Sequence, residues 1–590
     1  MYKKLLLAAV TGMAMLIGCK KEGESNLRNR DKNDEGFGLY KEVFLEELWK
    51  TDPDRATLAG NHTYDSLLVL PSEYRKKMLD LAKVHLDSLS RYPEAELSDA
   101  NRMDFSLIQN FLRATQWNLQ QLKPYEWDPT FYNATGTFAY ILNEPYAPLT
   151  ARLKGFNDKL GGVPEYFKEA QKSLKNPVPE LTSLAIAQLT AASEIIEKDF
   201  ADSVHNSGIP EVEEKVMIER AKLAAASIRS FTTWLKSASD GKGRSFRLGK
   251  ELYEDKLQQE LQPSFTGQQI FNSAMERKKV IHKQMIKLAK QLWPTHMAGK
   301  SMPSDSLEMV GEVIAALSAK HAGPEQFKAA IQQHLPTLTT FVQSKDLITT
   351  DPAKQLIIRK KPAYLSHRAG TFVTSPGPYE KTGKFYYNII NLASLDKEKA
   401  DSYLREYNDY TLQLLNIYEA IPGRYTQLAL ANGSPSMVKA IFANDAMTNG
   451  WAVYAGEVMI DAGYENTPEM RLMWNKWHLR AVCDAILDYS VHTGAMTKAA
   501  ALKLLTKEAF QEEMEAENKW TTVTLSSVKL ASGFTGYKEI IELRNAYKKK
   551  MADKYKLKDF HDKFLSYGSA PVKYIKEAML AKEKQPETAN

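Results

Sequence analysis

The ten residues from Tyr418 read YEAIPGRYTQ, and the nine residues from Asn449 read NGWAVYAGE. Both stretches lie where apolar residues recur every three or four positions, the spacing of a helix face. Pro422 and Gly423 interrupt the first stretch, and such a pair breaks a regular helix. The two stretches therefore predict a helix with a break at Pro422-Gly423 and a further helix after it.

Helical spacing of apolar residues extends over most of the chain from Leu39 onward. Prolines and glycines separate the helical segments, but none of them belongs to a linker rich in Pro, Ser and Gly. The sequence has no repeat of fixed period, which argues against a solenoid. These features predict a large, predominantly all-α body of two lobes without a clear linker.

One segment, residues 367–391, departs from the helical pattern. The runs TFVT from Thr371 and KFYYNII from Lys384 are rich in β-branched and aromatic residues and flank a Pro/Gly turn. They predict a small β hairpin or sheet inserted into the helical body.

The composition indicates a globular protein without a nucleic-acid partner. Of the 590 residues, 25% are charged, and the formal net charge is only +6. The two most basic stretches, 277–290 and 548–556, space their basic residues by three or four positions, as on a solvated helix face. Contact with anionic headgroups is the alternative for a protein held at a membrane.

The N-terminal region predicts a lipoprotein. An apolar run after Lys3 and Lys4 ends in LIGC at Cys19, and it is too short to span a membrane but fits a signal peptide. Its end resembles the lipobox of bacterial lipoproteins, which implies lipidation of Cys19 and cleavage before it. We therefore assign a signal peptide (1–18), a lipidated polar tether (19–36), a helical domain (37–580) and a polar tail (581–590). An uncleaved anchor or an ordinary signal peptide is the alternative.

A lipid on Cys19 would anchor the protein in the cell envelope, at the outer membrane or a membrane facing the periplasm. Two or more acyl chains make such anchoring stable. The remaining cysteine, Cys483, would then have no partner for a disulfide. We expect it to be a core thiol.

The two stretches quoted first resemble motifs of the bacterial family catalogued as domain of unknown function 885. Its members carry H-E-A-x-P-G-H-H-x-Q, which matches the stretch from Tyr418, and E-G-W-A-L-Y-A-E, which matches the stretch from Asn449. The resemblance spans roughly residues 38–580. Further matches are residues 52–65 and 383–388, Asp488 with His492, and residues 533–537 and 560–571.

This family resembles helical zinc metallopeptidases, which implies a metallopeptidase-like fold with a metal site at the helix break. In such a site two histidines and a distal glutamate bind zinc and leave one position open for water. The glutamate after the first histidine takes a proton from that water as it attacks a peptide carbonyl. Glu419 stands at the position of this catalytic glutamate.

All three positions of the zinc ligands are substituted, by Tyr418, Arg424 and Asn449. A guanidinium is not deprotonated in proteins and so does not bind zinc, and tyrosine or an asparagine carbonyl is a poor replacement. The sequence also contains no H-E-x-x-H motif. We therefore expect no metal and no cofactor, although typical members of the family would hold zinc.

Without a metal, Glu419 needs another partner, because an isolated buried carboxylate is unstable. We predict that Arg424 forms charge-assisted hydrogen bonds with it; alternatively, both side chains face solvent. His492 and Tyr537 match groups that would stabilise an oxyanion in an active relative, or they are ordinary residues of the cleft. A shifted register with Glu457 as the distal ligand is a further alternative.

Three functions are compatible with these features. The first is a pseudoenzyme, a membrane-anchored protein that binds a peptide or protein in its cleft without catalysis. The strand with Phe385, Tyr386 and Asn388 would then pair with an extended ligand. The second is an active hydrolase with an atypical or unidentified metal site, and the third is a structural envelope protein. The substituted ligand positions favour the first.

Overall fold

The computed structural model describes residues 32–238, 243–350, 354–365, 370–380 and 382–581. The predicted signal peptide, the lipidated Cys19 and the tail after residue 581 lie outside these residues. Within the described part of the chain, no helix is both long and apolar enough to cross a membrane.

The described chain is predominantly helical with one small sheet, which confirms the predicted fold class. Short 3₁₀ and π segments join several of the helices. The helices are α1 (32–51), α2 (Pro53–Leu58), α3 (Pro71–Leu89), α4 (Asp99–Trp117), α5 (Thr135–Asn143), α6 (Leu149–Leu160), α7 (Val163–Ser173), α8 (Pro179–Glu194), α9 (Phe200–His205), α10 (Glu211–Ala238), α11 (Lys250–Glu260), α12 (Gly267–His296), α13 (Ser306–Ser318), α14 (Phe327–Ser344), α15 (Lys397–Glu406), α16 (Thr411–Glu419), α17 (Arg424–Ala431), α18 (Met437–Ile441), α19 (Asp445–Asp461), α20 (Pro468–Gly494), α21 (Lys498–Lys503), α22 (Glu513–Leu525), α23 (Ser532–Met551), α24 (Leu557–Leu565) and α25 (Val572–Leu580).

Helix α1 takes in residues 32–36, which we assigned to the polar tether. Asn33 Nδ2 donates to the Glu96 carboxylate at 2.7 Å, and the Asp34 carboxylate accepts from the backbone N–H of Ser98 at 2.9 Å. These contacts hold the start of α1 against the turn before α4. Helix α1 therefore begins before residue 37, where we placed the start of the helical domain.

The sheet insert has three strands, β1 (Leu356–Lys360), β2 (Phe372–Thr374) and β3 (Phe385–Ile389), in the order β1-β3-β2. The antiparallel pair of β2 and β3 confirms the predicted hairpin, with Val373 opposite Tyr387. Strand β1 was not predicted. It pairs with β3 in parallel, and a parallel pairing joins segments that are distant in sequence, so no local turn signal marks it.

Two hydrophobic cores hold the body together. The smaller core lies among α5 to α10 and contains Phe156 and Phe200, whose rings stack at 4.3 Å. The larger core takes in the rest of the described body and centres on α20. Buried residues occur on nearly every side of α20, as expected for a helix enclosed by others. Cys483 is fully buried on α20, which confirms its place as a core thiol.

Candidate functional site

A cavity of about 450 Å³ lies beside the helix break between α16 and α17. Helices α19, α20, α22 and the start of α23 enclose it, and the residues around the start of β2 form one edge. We call it the Arg424 cavity. Its wall is formed by Gly370, Thr371, Phe372, Tyr407, Leu415, Tyr418, Glu419, Arg424, Asp445, Thr448, Asn449, Val453, Trp477, Arg480, Ala481, Asp484, Glu515, Asn518, Lys519, Thr522, Lys529, Leu530, Ser532 and Gly533.

Pro422 and Gly423 form the predicted break between the two helices. A Cβ atom on residue 423 would lie 2.1 Å from the carbonyl oxygen of Tyr418, so the close approach requires glycine. The indole of Trp451, on α19, donates to the carbonyl oxygen of Pro422 at 2.9 Å. The break is thus held at a defined place relative to α19.

The Arg424 side chain connects the three positions that would hold zinc ligands. Its Nη2 atom donates to Asn449 Oδ1 at 2.7 Å and to the Tyr418 hydroxyl at 3.3 Å. Burial alone would lower the pKa of Arg424, but Glu419 and Tyr418 raise it above its ordinary value. A permanent positive charge therefore stands where the resemblance implies a metal ion.

Glu419 forms an ion pair with Arg424 but no hydrogen bond. The distance from Arg424 Nε to Glu419 Oε2 is 3.5 Å, and Nε has no hydrogen-bond partner in the described part of the chain. Glu419 Oε2 accepts instead from the backbone N–H of Val373 at 3.0 Å. The predicted hydrogen bond is therefore wrong, because the carboxylate turns toward β2. The solvent-facing alternative is also wrong, since the two side chains are only 20% and 7% exposed.

Asn449 is held from two sides. It accepts from Arg424, and its own Nδ2 donates to Ser532 Oγ at 2.9 Å. The next residue, Gly450, lets α19 touch α23, because a Cβ atom there would lie 2.4 Å from the backbone of Gly536. This close crossing brings Asn449 and the start of α23 to the same wall of the Arg424 cavity.

The side chains at this site do not fit a zinc ion. A guanidinium nitrogen lies 2.7 Å from the Asn449 oxygen, so a cation takes up the space between the substituted ligand positions. Among the described residues, no group of three or more His, Cys, Asp or Glu side chains is placed to hold a metal. No metal-dependent step follows from this arrangement.

His492 does not line the Arg424 cavity. Its Nε2 atom lies 2.9 Å from the carbonyl oxygen of Val523 and 3.2 Å from that of Ser526. Burial lowers the pKa of His492 to about 4, so the neutral ring donates to these carbonyls. We expected His492 at an oxyanion position or elsewhere in the cleft, but it fixes the chain after α22 instead.

Tyr537 and Glu457 also lie apart from the Arg424 cavity. The Tyr537 hydroxyl donates to the Glu457 carboxylate, and Arg277 and Arg544 each place a guanidinium nitrogen 3.7 Å from that carboxylate. Glu457 is therefore engaged in an ionic cluster of its own. The structure thus does not bring Tyr537 to Glu419, and it contradicts the register with Glu457 as the distal ligand.

The strand that contains Phe385, Tyr386 and Asn388 is central in the sheet. Both of its edges are paired, so the predicted strand pairing of β3 with a ligand is wrong. The edge strands are β1 and β2, and residues 370–372, at the start of β2, line the Arg424 cavity. The N–H of Val373 is already bonded to Glu419, so this edge is not free for a ligand strand.

A charged face of α20 was not predicted from the sequence. Trp477, Arg480 and Asp484 line the Arg424 cavity at successive turns of this helix. Arg480 is paired with Glu515, and Asp484 with Lys519. Charged residues four positions apart within an apolar helix were the signal that could have identified this face.

A model of the family described as "Bacterial protein of unknown function (DUF885)" matches residues 53–579. The chain belongs to this family. The match to domain of unknown function 885 covers both stretches on which the resemblance was based.

Two solved structures are similar to this member of the family. One is "a putative lipoprotein of unknown function from Shewanella oneidensis", with 39% sequence identity and a TM-score of 0.85, covering 92% of this chain and 100% of the other. The second is "the putative lipoprotein from Colwellia psychrerythraea", with 16% identity and a TM-score of 0.73, covering 93% and 98%. At 16% identity the likeness is one of fold. No curated protein matched the chain.

Proposed function

We propose that this protein is a lipid-anchored, non-catalytic binding protein of the cell envelope that captures the carboxylate end of a peptide in the Arg424 cavity. The proposal rests on the hydrogen bonds that the Arg424 guanidinium forms and leaves unformed. Both of its hydrogen bonds to described residues come from Nη2, and Nε is buried 3.5 Å from Glu419 Oε2, so Nη1 is the nitrogen left to donate to a ligand. The N–H groups of a guanidinium form charge-assisted hydrogen bonds with a carboxylate.

The start of α23 also favours an anionic ligand, although the N–H of Ala531 just before it already donates to Asp488 at 3.0 Å. Ser532 and Gly533, the first residues of this 20-residue helix, line the Arg424 cavity together with Lys529. Backbone N–H groups at a helix N-terminus carry partial positive charge and favour anions.

The acidic residues of the same wall are largely compensated. Asp484 is paired with Lys519, Glu515 with Arg480, and Glu419 with Arg424. The fourth acidic residue, Asp445, has no ion pair among the described residues, but Lys529 on the same wall matches its charge.

Aromatic side chains near Arg424 would contact the side chain of the peptide's C-terminal residue. Tyr407, Tyr418 and Trp477 line the cavity, and the Trp477 ring lies 5.9 Å from that of Tyr418. Aromatic walls with a few convergent polar groups are typical of sites for small ligands. Recognition would depend on side chains rather than strand addition, because the Val373 amide is occupied.

The membrane anchor in this proposal rests on Cys19 and on the solved relatives. The Shewanella oneidensis and Colwellia psychrerythraea proteins carry the lipoprotein descriptions quoted above. A protein anchored through Cys19 would hold its peptide close to the membrane surface. The Arg424 cavity distinguishes this proposal from a purely structural envelope protein, which would need no open site.

The test compares two peptides that differ only at the C-terminus. N-acetyl-Ala-Ala-Phe with a free carboxylate and the same peptide with a carboxamide are titrated into the full-length lipoprotein in detergent micelles by calorimetry. We expect the acid to bind about tenfold more tightly or better, because hydrogen bonds to charged groups contribute ~1.5–3 kcal/mol. Arg424→Gln should abolish the preference, and Arg91→Gln, in an exposed ion pair, should leave it unchanged. Equal affinity for the two peptides, or no binding of either, would overturn the proposal.

The same preparation distinguishes binding from hydrolysis. Cleavage of either peptide by the wild-type protein, lost in Glu419→Gln, would favour the hydrolase alternative. We expect both peptides to be recovered intact.

A further inference from the structure

A second cavity, of about 610 Å³, lies beside the sheet insert. Within the described chain its wall shares no residue with that of the Arg424 cavity. Three parts of the chain meet there: residues 58–62 after α2, residues 140–146 at the end of α5, and the sheet with its connecting loops. We call it the tyrosine cavity, because five tyrosines line it: Tyr140, Tyr146, Tyr364, Tyr379 and Tyr386.

Carboxylates hold the tyrosine rings on the α5 side in place. The Tyr140 hydroxyl donates to Glu380 at 2.5 Å, and the Tyr146 hydroxyl donates to Asp65. The Tyr146 ring also stacks on His62, with ring centroids 3.4 Å apart and an interplanar angle of 6°. These rings therefore keep a defined orientation before a ligand arrives.

Two of the three tyrosines on the sheet side, Tyr364 and Tyr379, are also held through their hydroxyls. The Tyr364 hydroxyl donates to Glu144, and the Tyr379 hydroxyl accepts from the Trp49 indole at 3.1 Å. Since Tyr379 accepts this bond, its own O–H can donate to a ligand. Rings fixed through their hydroxyls lose little side-chain entropy on binding, which favours affinity.

Both carboxylates of the tyrosine cavity lie beside basic side chains. Glu144 is paired with Arg359 at 3.2 Å, and Glu380 lies 3.5 Å from His62 Nε2. The remaining charged side chain of the wall belongs to Lys384, which is exposed. A strongly charged ligand would find little uncompensated charge there.

The other polar groups of the wall are hydroxyls, from Thr374, Ser375 and Thr382 in addition to the tyrosines. Oriented aromatic rings, hydroxyls and hydrogen-bonded carboxylates in a space of ligand size suit a neutral ligand with apolar C–H faces and many hydroxyl groups. We propose that the tyrosine cavity binds a saccharide. This site is independent of the peptide site, because the two cavities have separate walls.

The Tyr386 ring provides the sharpest test, because it is half-buried and has few contacts. Among the ring and cation contacts of the described residues, Tyr386 has one, with the Arg359 guanidinium 3.7 Å from its ring centroid. Removal of the Tyr386 side chain should therefore spare the fold.

Chitotetraose, cellotetraose and maltotetraose are titrated into the full-length lipoprotein, with tetramethylammonium as a cationic probe. At least one tetrasaccharide should bind at millimolar concentration or below.

Tyr386→Ala should weaken that binding about tenfold, the effect of losing one aromatic contact. Tyr574→Ala, which removes a half-buried tyrosine outside both cavities, should leave it unchanged. The proposal is overturned if none of the three saccharides binds, if Tyr386→Ala binds them as the wild type does, or if tetramethylammonium binds and the saccharides do not.

Discussion

Arg424 Nη2 donates a hydrogen bond to Asn449 Oδ1 at 2.7 Å and so joins α17 to α19 across the Arg424 cavity. The resemblance to zinc metallopeptidases implies that a metal ion would join these two positions. Here a guanidinium and an amide make the connection directly. A side-chain hydrogen bond thus links the two helices.

Arg424→Ala should lower the free energy of unfolding by about 3–5 kcal/mol, because the change leaves the buried Glu419 carboxylate without its counter-charge. Arg91→Ala is the matched control, since its partner Asp87 is 71% exposed and such pairs contribute ~0–1 kcal/mol. Chemical denaturation of the two variants measures the difference. Similar losses in both would mean that Arg424 and Glu419 do not act as a buried couple.

The combined change Tyr418→His, Arg424→His, Asn449→Glu should create a zinc site. The three wild-type side chains already converge, with Arg424 within 3.3 Å of both others, and Glu419 lies beside them. We expect zinc uptake by metal analysis after dialysis but little peptidase activity, since an unoptimised outer shell weakens metal sites ~10–100-fold. A folded triple variant that takes up no more zinc than the wild type would show that the backbone has lost the ancestral geometry.

His62 links the turn after α2 to the loop between β2 and β3. Its Nδ1 lies 3.1 Å from Asp65, and its Nε2 lies 3.5 Å from Glu380. Burial lowers the pKa of His62, but the contacts with the two carboxylates outweigh burial and raise the pKa above the ordinary value of 6.5.

A raised pKa in the folded state means that protonated His62 stabilises the protein below pH 6.5, and that this contribution is lost as pH rises through the folded pKa. Over pH 6 to pH 8 the change in melting temperature of the wild type should therefore be more negative than that of His62→Gln. His321→Gln is the control, because it removes a histidine that bonds to a backbone carbonyl rather than to a carboxylate. An unchanged slope in His62→Gln would contradict the assignment.

Cys19→Ala should release the protein from membranes, because the anchor is expected to be lipid on this cysteine. Fractionation of cells labelled with a fatty acid would show both effects, loss of the label and loss of membrane association. Cys483→Ala is the control, since this thiol is buried in the core. If the Cys19→Ala variant still carries the fatty-acid label, the lipid is attached to another residue.

The helical body, the break at Pro422-Gly423 and the β2-β3 hairpin could be predicted because each leaves a local signal. Helix faces repeat every 3.6 residues, Pro-Gly interrupts them, and β-branched runs beside a turn form a hairpin. The positions of His492 and Tyr537 could not be predicted in this way. Each shares a helix with residues of the Arg424 cavity but contacts other partners, and the tertiary packing of that helix decides which ones.

The family and the fold class could be predicted from the sequence, since they depend on motifs and on the local periodicity of apolar residues. The folded chain was needed to show that Arg424 bonds to Asn449 while Glu419 turns to the Val373 amide. The same holds for the pairing of β3 along both of its edges and for the five tyrosines that line one cavity. These facts depend on contacts between residues far apart in sequence, and the packing of whole helices and strands sets such contacts.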